Sequence, residues 1–165
     1  MTTAAIMTAM ETILLTTKDG SDNNYFTNTA EVKAVDMGSY QMLDKGVNYA
    51  AVLLPGRFRS DEPASYSDAN HDDILLDLFA RYGSDAATNW DNFTAFRDAV
   101  RTKLQSYPTL NGVTGVHKVS VIADEDPGAL LKGKGKSTES GPIFIVQRLR
   151  VTVVQTVVLN TGEYA

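Results

Sequence analysis

The stretch Ile143-Phe144-Ile145-Val146-Gln147-Arg148-Leu149-Arg150-Val151-Thr152-Val153-Val154-Gln155-Thr156-Val157-Val158-Leu159 governs how the rest of the chain is read. It is rich in β-branched residues, and Ile143, Ile145, Leu149, Val151, Val153, Val157 and Leu159 fall on one face at the two-residue period of a strand. Gln147 and Gln155 interrupt that face. At about 3.3 Å per residue the run would reach roughly 56 Å if straight, well beyond the usual five or six residues. It therefore bends or bulges inside one sheet, or it projects as a β-arm whose unpaired backbone groups favour a second chain. The residues alone leave both outcomes open.

Working outward, 124–142 holds six glycines and prolines among charges of both signs and reads as a flexible connection. Ahead of it Val116 to Ile122 reads as a strand, which makes the C-terminal part a long β-hairpin. A helix is expected from about Thr88 to Ser106, with Trp90, Phe93, Phe96, Val100 and Leu104 on one face. Thr88 and Asp91 have capping-box spacing, and Tyr107-Pro108 ends the helix. Ile74 to Tyr82 fits both periods, and locally the helix is favoured: Asp72 and Asp73 are placed to cap it, Asp77 and Arg81 to pair across one turn, and Gly83 to close it. Arg57 to Asp73, rich in Ser, Asp, Asn and Pro, reads as a long surface loop. Val47 to Leu54 reads as a strand stopped by Pro55-Gly56. Thr29 to Asp36 alternates as a strand. Ile6, Met7, Met10, Ile13 and Leu14 line a first helix capped by Thr2 or Thr3, with Gly20 suited to the left-handed turn after it.

The expected fold class is α+β, as one domain over residues 1–165. That length suits one well-packed core, and 43% apolar with 21% charged residues is an ordinary globular balance. No run of about 18 apolar residues occurs and no basic residue precedes the first apolar positions, so neither a membrane span nor a secretory signal is expected. The absence of cysteine rules out disulfides, thiolate catalysis and cysteine-held metals. A net charge of −5 and a pI near 4.9 argue against general nucleic-acid binding.

Candidates for chemistry are weak. Lys132-Gly133-Lys134-Gly135-Lys136-Ser137-Thr138 resembles the end of a phosphate loop, but Leu130 stands where the motif needs glycine and no helix-forming segment follows. A solvated basic hairpin tip fits better, with contact to DNA or an acidic partner surface as the alternative. His71 beside Asp72 and Asp73, with Asp61 and Asp68 upstream, supplies oxygen ligands for a divalent cation but lacks the glycine and glutamate of a calcium loop. A solvated acidic loop is the simpler reading. His117 lies within a strand and reads as a packed or surface histidine rather than a general base, no nucleophile elbow occurs, and Asp124 with Asp126 is an ordinary loop pair. No catalytic residue, cofactor or metal site is expected.

The element order, the run Ile74 to Tyr82, the helix Asn89 to Ser106, the turn Pro108-Thr109-Leu110-Asn111-Gly112 and the last strand together resemble the tail terminator (tail completion) proteins of long-tailed bacteriophages. The likeness is one of overall pattern and runs from about Val47 onward. It implies that Ile74 to Tyr82 is a strand, against its local helical signal. It implies a mixed, mostly antiparallel sheet with the N-terminal and long helices on one face. The implied function is a virion protein of the tail or neck, assembled in the host cytoplasm as a homo-oligomeric, six-fold ring. That ring would cap the tail tube protein, meet the head-side connector or stopper and pass DNA through its lumen without specific binding, with no membrane partner. Such rings use loops and β-arms, which makes Lys132, Lys134, Lys136, Ile143, Phe144, Ile145, Arg148 and Arg150 the candidate assembly contacts. A negatively lined channel, with Glu31, Asp36 and the Asp61 to Asp73 stretch as contributors, would let phosphates slide. The alternatives are another head-tail adaptor, a tube subunit, or a small ligand-binding domain.

Overall fold

The N-terminal apolar positions wind into α1 (Thr3–Leu14), and the five spaced three and four apart, Ile6, Met7, Met10, Ile13 and Leu14, are all buried. In α2 (Ala86–Gln105) Phe93, Phe96, Val100 and Leu104 are buried at the same spacing, and Trp90 is half-buried at its edge. The computed structural model describes residues 3–26, 32–34, 48–64, 67–83, 86–123, 129–132 and 143–158.

Between and after the helices lie β1 (Val32–Ala34), β2 (Tyr49–Ala64), β3 (Ser67–Arg81), β4 (Val116–Ala123), β5 (Ala129–Lys132) and β6 (Ile143–Val158). They form one mixed sheet in the order β1-β2-β3-β6-β4, with β5 also on β6. Among the described residues only β1 and β2 pair in parallel; every other pair is antiparallel. The fold is α+β, with both helices on one face of the sheet.

Alternation decides which side chains reach that face. Ala51 and Leu53 of β2, Ile74, Leu76, Leu78 and Ala80 of β3, Val119 and Val121 of β4, and Ile145, Leu149, Val151 and Val153 of β6 form one core with the helices. Each fully buried Leu, Ile or Phe contributes roughly 1.5–3 kcal/mol relative to exposure. Phe96 sits at its aromatic centre, with ring centroids 5.0 Å from Tyr25, 5.7 Å from Phe26, 4.8 Å from Tyr49 and 6.5 Å from Phe93. The opposite face carries a smaller buried cluster of Ala50, Val52, Phe79 and Phe144, with Leu54 and Val146 against it.

The long last strand is not an arm. β6 lies inside the sheet, bonded along one edge to β3 from Phe144 to Val158 and along the other to β5 (Ile143–Val146) and β4 (Leu149–Gln155). The two glutamines that break its apolar alternation are both buried on the helix face. Arg97 Nη1 of α2 donates to Gln147 Oε1 at 3.3 Å, and Gln155 Nε2 donates to Asp72 Oδ2 at 3.3 Å. Each polar interruption thus has a partner, as burial requires.

Other expectations are corrected. The stretch 57–73 is no surface loop: β2 and β3 form a long hairpin through it, paired as far as Ala64↔Ser67. Its polar residues conceal a strand that neighbouring β6 templates, a context stronger than local β-propensity. Pro55-Gly56 does not stop β2; the register shifts between Pro55 and Phe58, and the strand runs on through a bulge, where proline is tolerated. Residues 129–132 within the supposed flexible connection are a strand, β5, because they complete the hairpin with β6. Asp22 (φ 66°), not Gly20, takes the left-handed turn after α1, and Asp19 Oδ1 accepts the backbone N–H groups of Ser21 (2.8 Å) and Asn23 (2.9 Å) there. The long helix starts at Ala86, so Thr88 lies inside its first turn and does not cap it. Ile74 to Arg81 is a strand, as the family resemblance implied.

Candidate assembly surface

The face away from the helices is built in rows that cross the sheet. One row runs Leu54, Leu75, Arg150, Ile122, and the next runs Val52, Asp77, Arg148. Ile122 is 59% exposed, an unusual position for a β-branched apolar side chain, and Arg150 beside it is exposed. Arg148 donates to both carboxylate oxygens of Asp77, Nε at 2.8 Å and Nη2 at 3.0 Å. The side chain of Asp77 is only 5% exposed and that of Arg148 is 44% exposed, so the pair holds a carboxylate inside the face and leaves part of the guanidinium at its surface.

The sequence-derived contact residues therefore separate. Arg148 and Arg150 lie together on this face. Ile143 is 41% exposed at the start of β6, and its backbone pairs with Lys132 of β5. Phe144 is buried in the smaller cluster and Ile145 in the main core, because successive residues of an interior strand point into the two packed faces. Neither presents a side chain for contact. Lys134 and Lys136 lie outside the described residues, as do Glu31 and Asp36. Ile122 was missed; strand alternation places it outward, but only the sheet's layout shows that neither described helix covers that face.

The proposed cation cluster is divided by the same alternation. Asp72 faces the helices at 3% exposure, while Asp73 faces the other way and accepts a hydrogen bond from Thr152 Oγ1 at 2.8 Å. Burial raises the pKa of Asp72, opposed by hydrogen bonds from Thr3 and Gln155. Among the described residues no three His, Asp or Glu side chains gather as a metal site. Exposed His117 lies near Thr156, its Nδ1 3.3 Å from Thr156 Oγ1.

A shallow groove of about 690 Å³ lies between the ends of the helices, lined by residues that include Thr17, Lys18, Asp98 and Lys103. Its charged groups are engaged locally: Lys18 with Asp22 at 3.2 Å, Asp98 with Arg97 at 3.3 Å, and Lys103 over the Tyr107 ring at 5.7 Å. They do not converge on a common point. No helix among the described residues is long and apolar enough to cross a membrane. Compared with protein-family models and with curated protein sequences, the chain matches none.

Proposed function

We propose that the chain is a structural subunit of a bacteriophage tail or neck, forming a ring of about six copies that closes the tail tube and meets the head-side connector. The observation that carries this reading is the strand Ile74–Arg81 directly ahead of the long helix. The periodicity there fits a helix and a strand alike, the local capping and pairing signals favour a helix, and the family resemblance called for a strand in a mixed sheet with both helices on one face. Assembly no longer draws support from a projecting arm, since β6 is paired along both edges.

The net charge of −5 supports passage of DNA through such a ring without adhesion, since phosphates are repelled by an acidic wall. A strongly positive lumen would overturn that part. The test of the whole is mass photometry of the purified protein over micromolar concentrations, alone and with a tail tube, followed by cryo-electron microscopy. A closed ring on the tube end is the expected result. A monomer that stays single both alone and beside the tube rules the reading out.

A further inference from the structure

The turn between α2 and β4 holds the chain's single Asn-Gly pair, Asn111-Gly112. Its backbone is left-handed at three successive residues, with φ 51° at Leu110, 62° at Asn111 and 89° at Gly112. Asparagine is one of the few side chains that tolerate that region, and glycine enters it freely. The same pair is chemically labile: asparagine is a thermolabile residue, and glycine brings no side chain to shield its own backbone nitrogen. Both residues are exposed, and a Cβ at Gly112 would meet nothing within 4 Å.

We infer that Asn111 is a site of covalent modification by deamidation, which the closed turn holds back and an opened turn releases. The Gly112 backbone nitrogen attacks Asn111 Cγ. The new N–C bond closes a cyclic imide, the Cγ–Nδ2 bond breaks, and ammonia leaves with the proton lost from Gly112. Water then opens the imide at one of its two carbonyls. Opening at Cγ leaves aspartate, and opening at the main-chain carbonyl leaves isoaspartate, in which the chain runs through Cγ. Either product exchanges a neutral amide for a carboxylate, and neither needs an oxidant or a reductant.

Two features of the turn oppose the first step. A non-glycine residue at this φ has ψ near about +47°, which sets the Gly112 nitrogen almost opposite Asn111 Cβ across the Cα–C bond. Attack needs the two nearly eclipsed, so Asn111 must leave the left-handed region first. The Gly112 N–H also donates to Thr109 Oγ1 at 3.2 Å, which turns the nitrogen toward that hydroxyl. Around this pair Leu110 N–H donates to the Tyr107 carbonyl and Val113 N–H to the Thr109 carbonyl, each at 2.9 Å, and the Leu110 side chain is anchored in the core. Conversion therefore follows the population of turns that have opened. Isoaspartate adds a main-chain carbon inside the loop that the Thr109–Val113 bond closes, so a converted chain cannot remake the same turn. The modification marks chains that have opened.

The test follows Asn111 by peptide mapping and mass spectrometry in mildly alkaline buffer, for the folded chain, the chain in urea and a synthetic 107–115 peptide. Conversion should be evident in urea and in the peptide, and at least about tenfold slower in the folded chain. Thr109→Ala removes the hydroxyl at an exposed position and should speed conversion of the folded chain roughly two- to tenfold, the weight of one hydrogen bond, without effect in urea. Thr109→Ser keeps the hydroxyl and should match the parent. Amide exchange should quicken at Gly112 in Thr109→Ala and stay unchanged at Val151 of the core, which shows the opening to be local. Equal rates in the folded and unfolded chain, no conversion in urea, or acceleration by Thr109→Ala in both states alike each overturn the proposal. So does isoaspartate-bearing protein that refolds to the parent's melting midpoint.

Discussion

Replacing Gly56 by alanine separates two readings of Pro55-Gly56 by the sign of a stability change. If the pair made an ordinary turn, alanine would stabilise the chain by about 0.4–1 kcal/mol, because it restricts the unfolded state and the φ of Gly56 lies outside the left-handed region. In the bulge the added Cβ would lie 2.5 Å from the Asp73 carbonyl oxygen, 3.1 Å from its carbon and 3.3 Å from its Cβ. The first of these is roughly 0.9 Å short of ordinary contact, which begins at 3.4 Å. Asp73 has little room to retreat, since its side chain is tied to Thr152 of β6 and its neighbours Asp72 and Ile74 are buried. Forcing the backbones apart costs about 1–3 kcal/mol, as other overpacked sites do. With a urea slope of about 2 kcal/mol/M, the unfolding midpoint should fall by roughly 0.5–1.5 M without a change of slope. A midpoint equal to or above that of the parent refutes the close approach of β2 and β3 at this point.

Phe96→Ala should cost about 3–5 kcal/mol and more than Phe93→Ala, because Phe96 faces four rings and Phe93 two; equal losses in denaturant titrations would count against the aromatic centre. Burial raises the folded pKa of Asp72, so stability should fall as pH rises from its ordinary 3.8 through the raised value, and that loss should persist above. Asp72→Asn should therefore melt higher at neutral pH and lose that part of the slope, whereas an Asn variant that melts lower at neutral pH contradicts the assignment. The Thr17 hydroxyl is buried with no hydrogen-bond partner among the described residues, so Thr17→Val should be neutral or stabilising by up to about 1–3 kcal/mol; a clear loss in thermal melts would mean that the hydroxyl is engaged.

The helices were legible because their apolar faces repeat cleanly from Ile6 to Leu14 and from Phe93 to Leu104, and no neighbour had to be known. The hairpin at 57–73 was not legible. Its second arm, Ser67 to Asp73, is laddered to β6, more than 70 residues away in sequence (Asp73↔Thr152, for example), and its own Ser, Asp and Asn residues carry turn propensity instead. The position of β6 was hidden for a related reason: seventeen alternating residues give the strand and its two faces, but not which edges are occupied. Arg148 and Arg150, named as candidate contacts, are both exposed. Phe144 and Ile145 misled because an interior strand buries neighbours on both of its faces. Ile122 escaped notice because its exposure depends on where the helices pack.

The central position of β6 has a consequence for the order of events during synthesis. β3 and β4 leave the ribosome first, yet neither bonds the other, and the space between them is filled only when residues 143–158 emerge. Until then the nascent chain holds two strands with bare inner margins, a state prone to aggregate. Closure then depends on contacts between distant parts of the chain, a topology that folds slowly. Shortening the chain before Ile143 would accordingly remove the middle of the sheet rather than trim a tail.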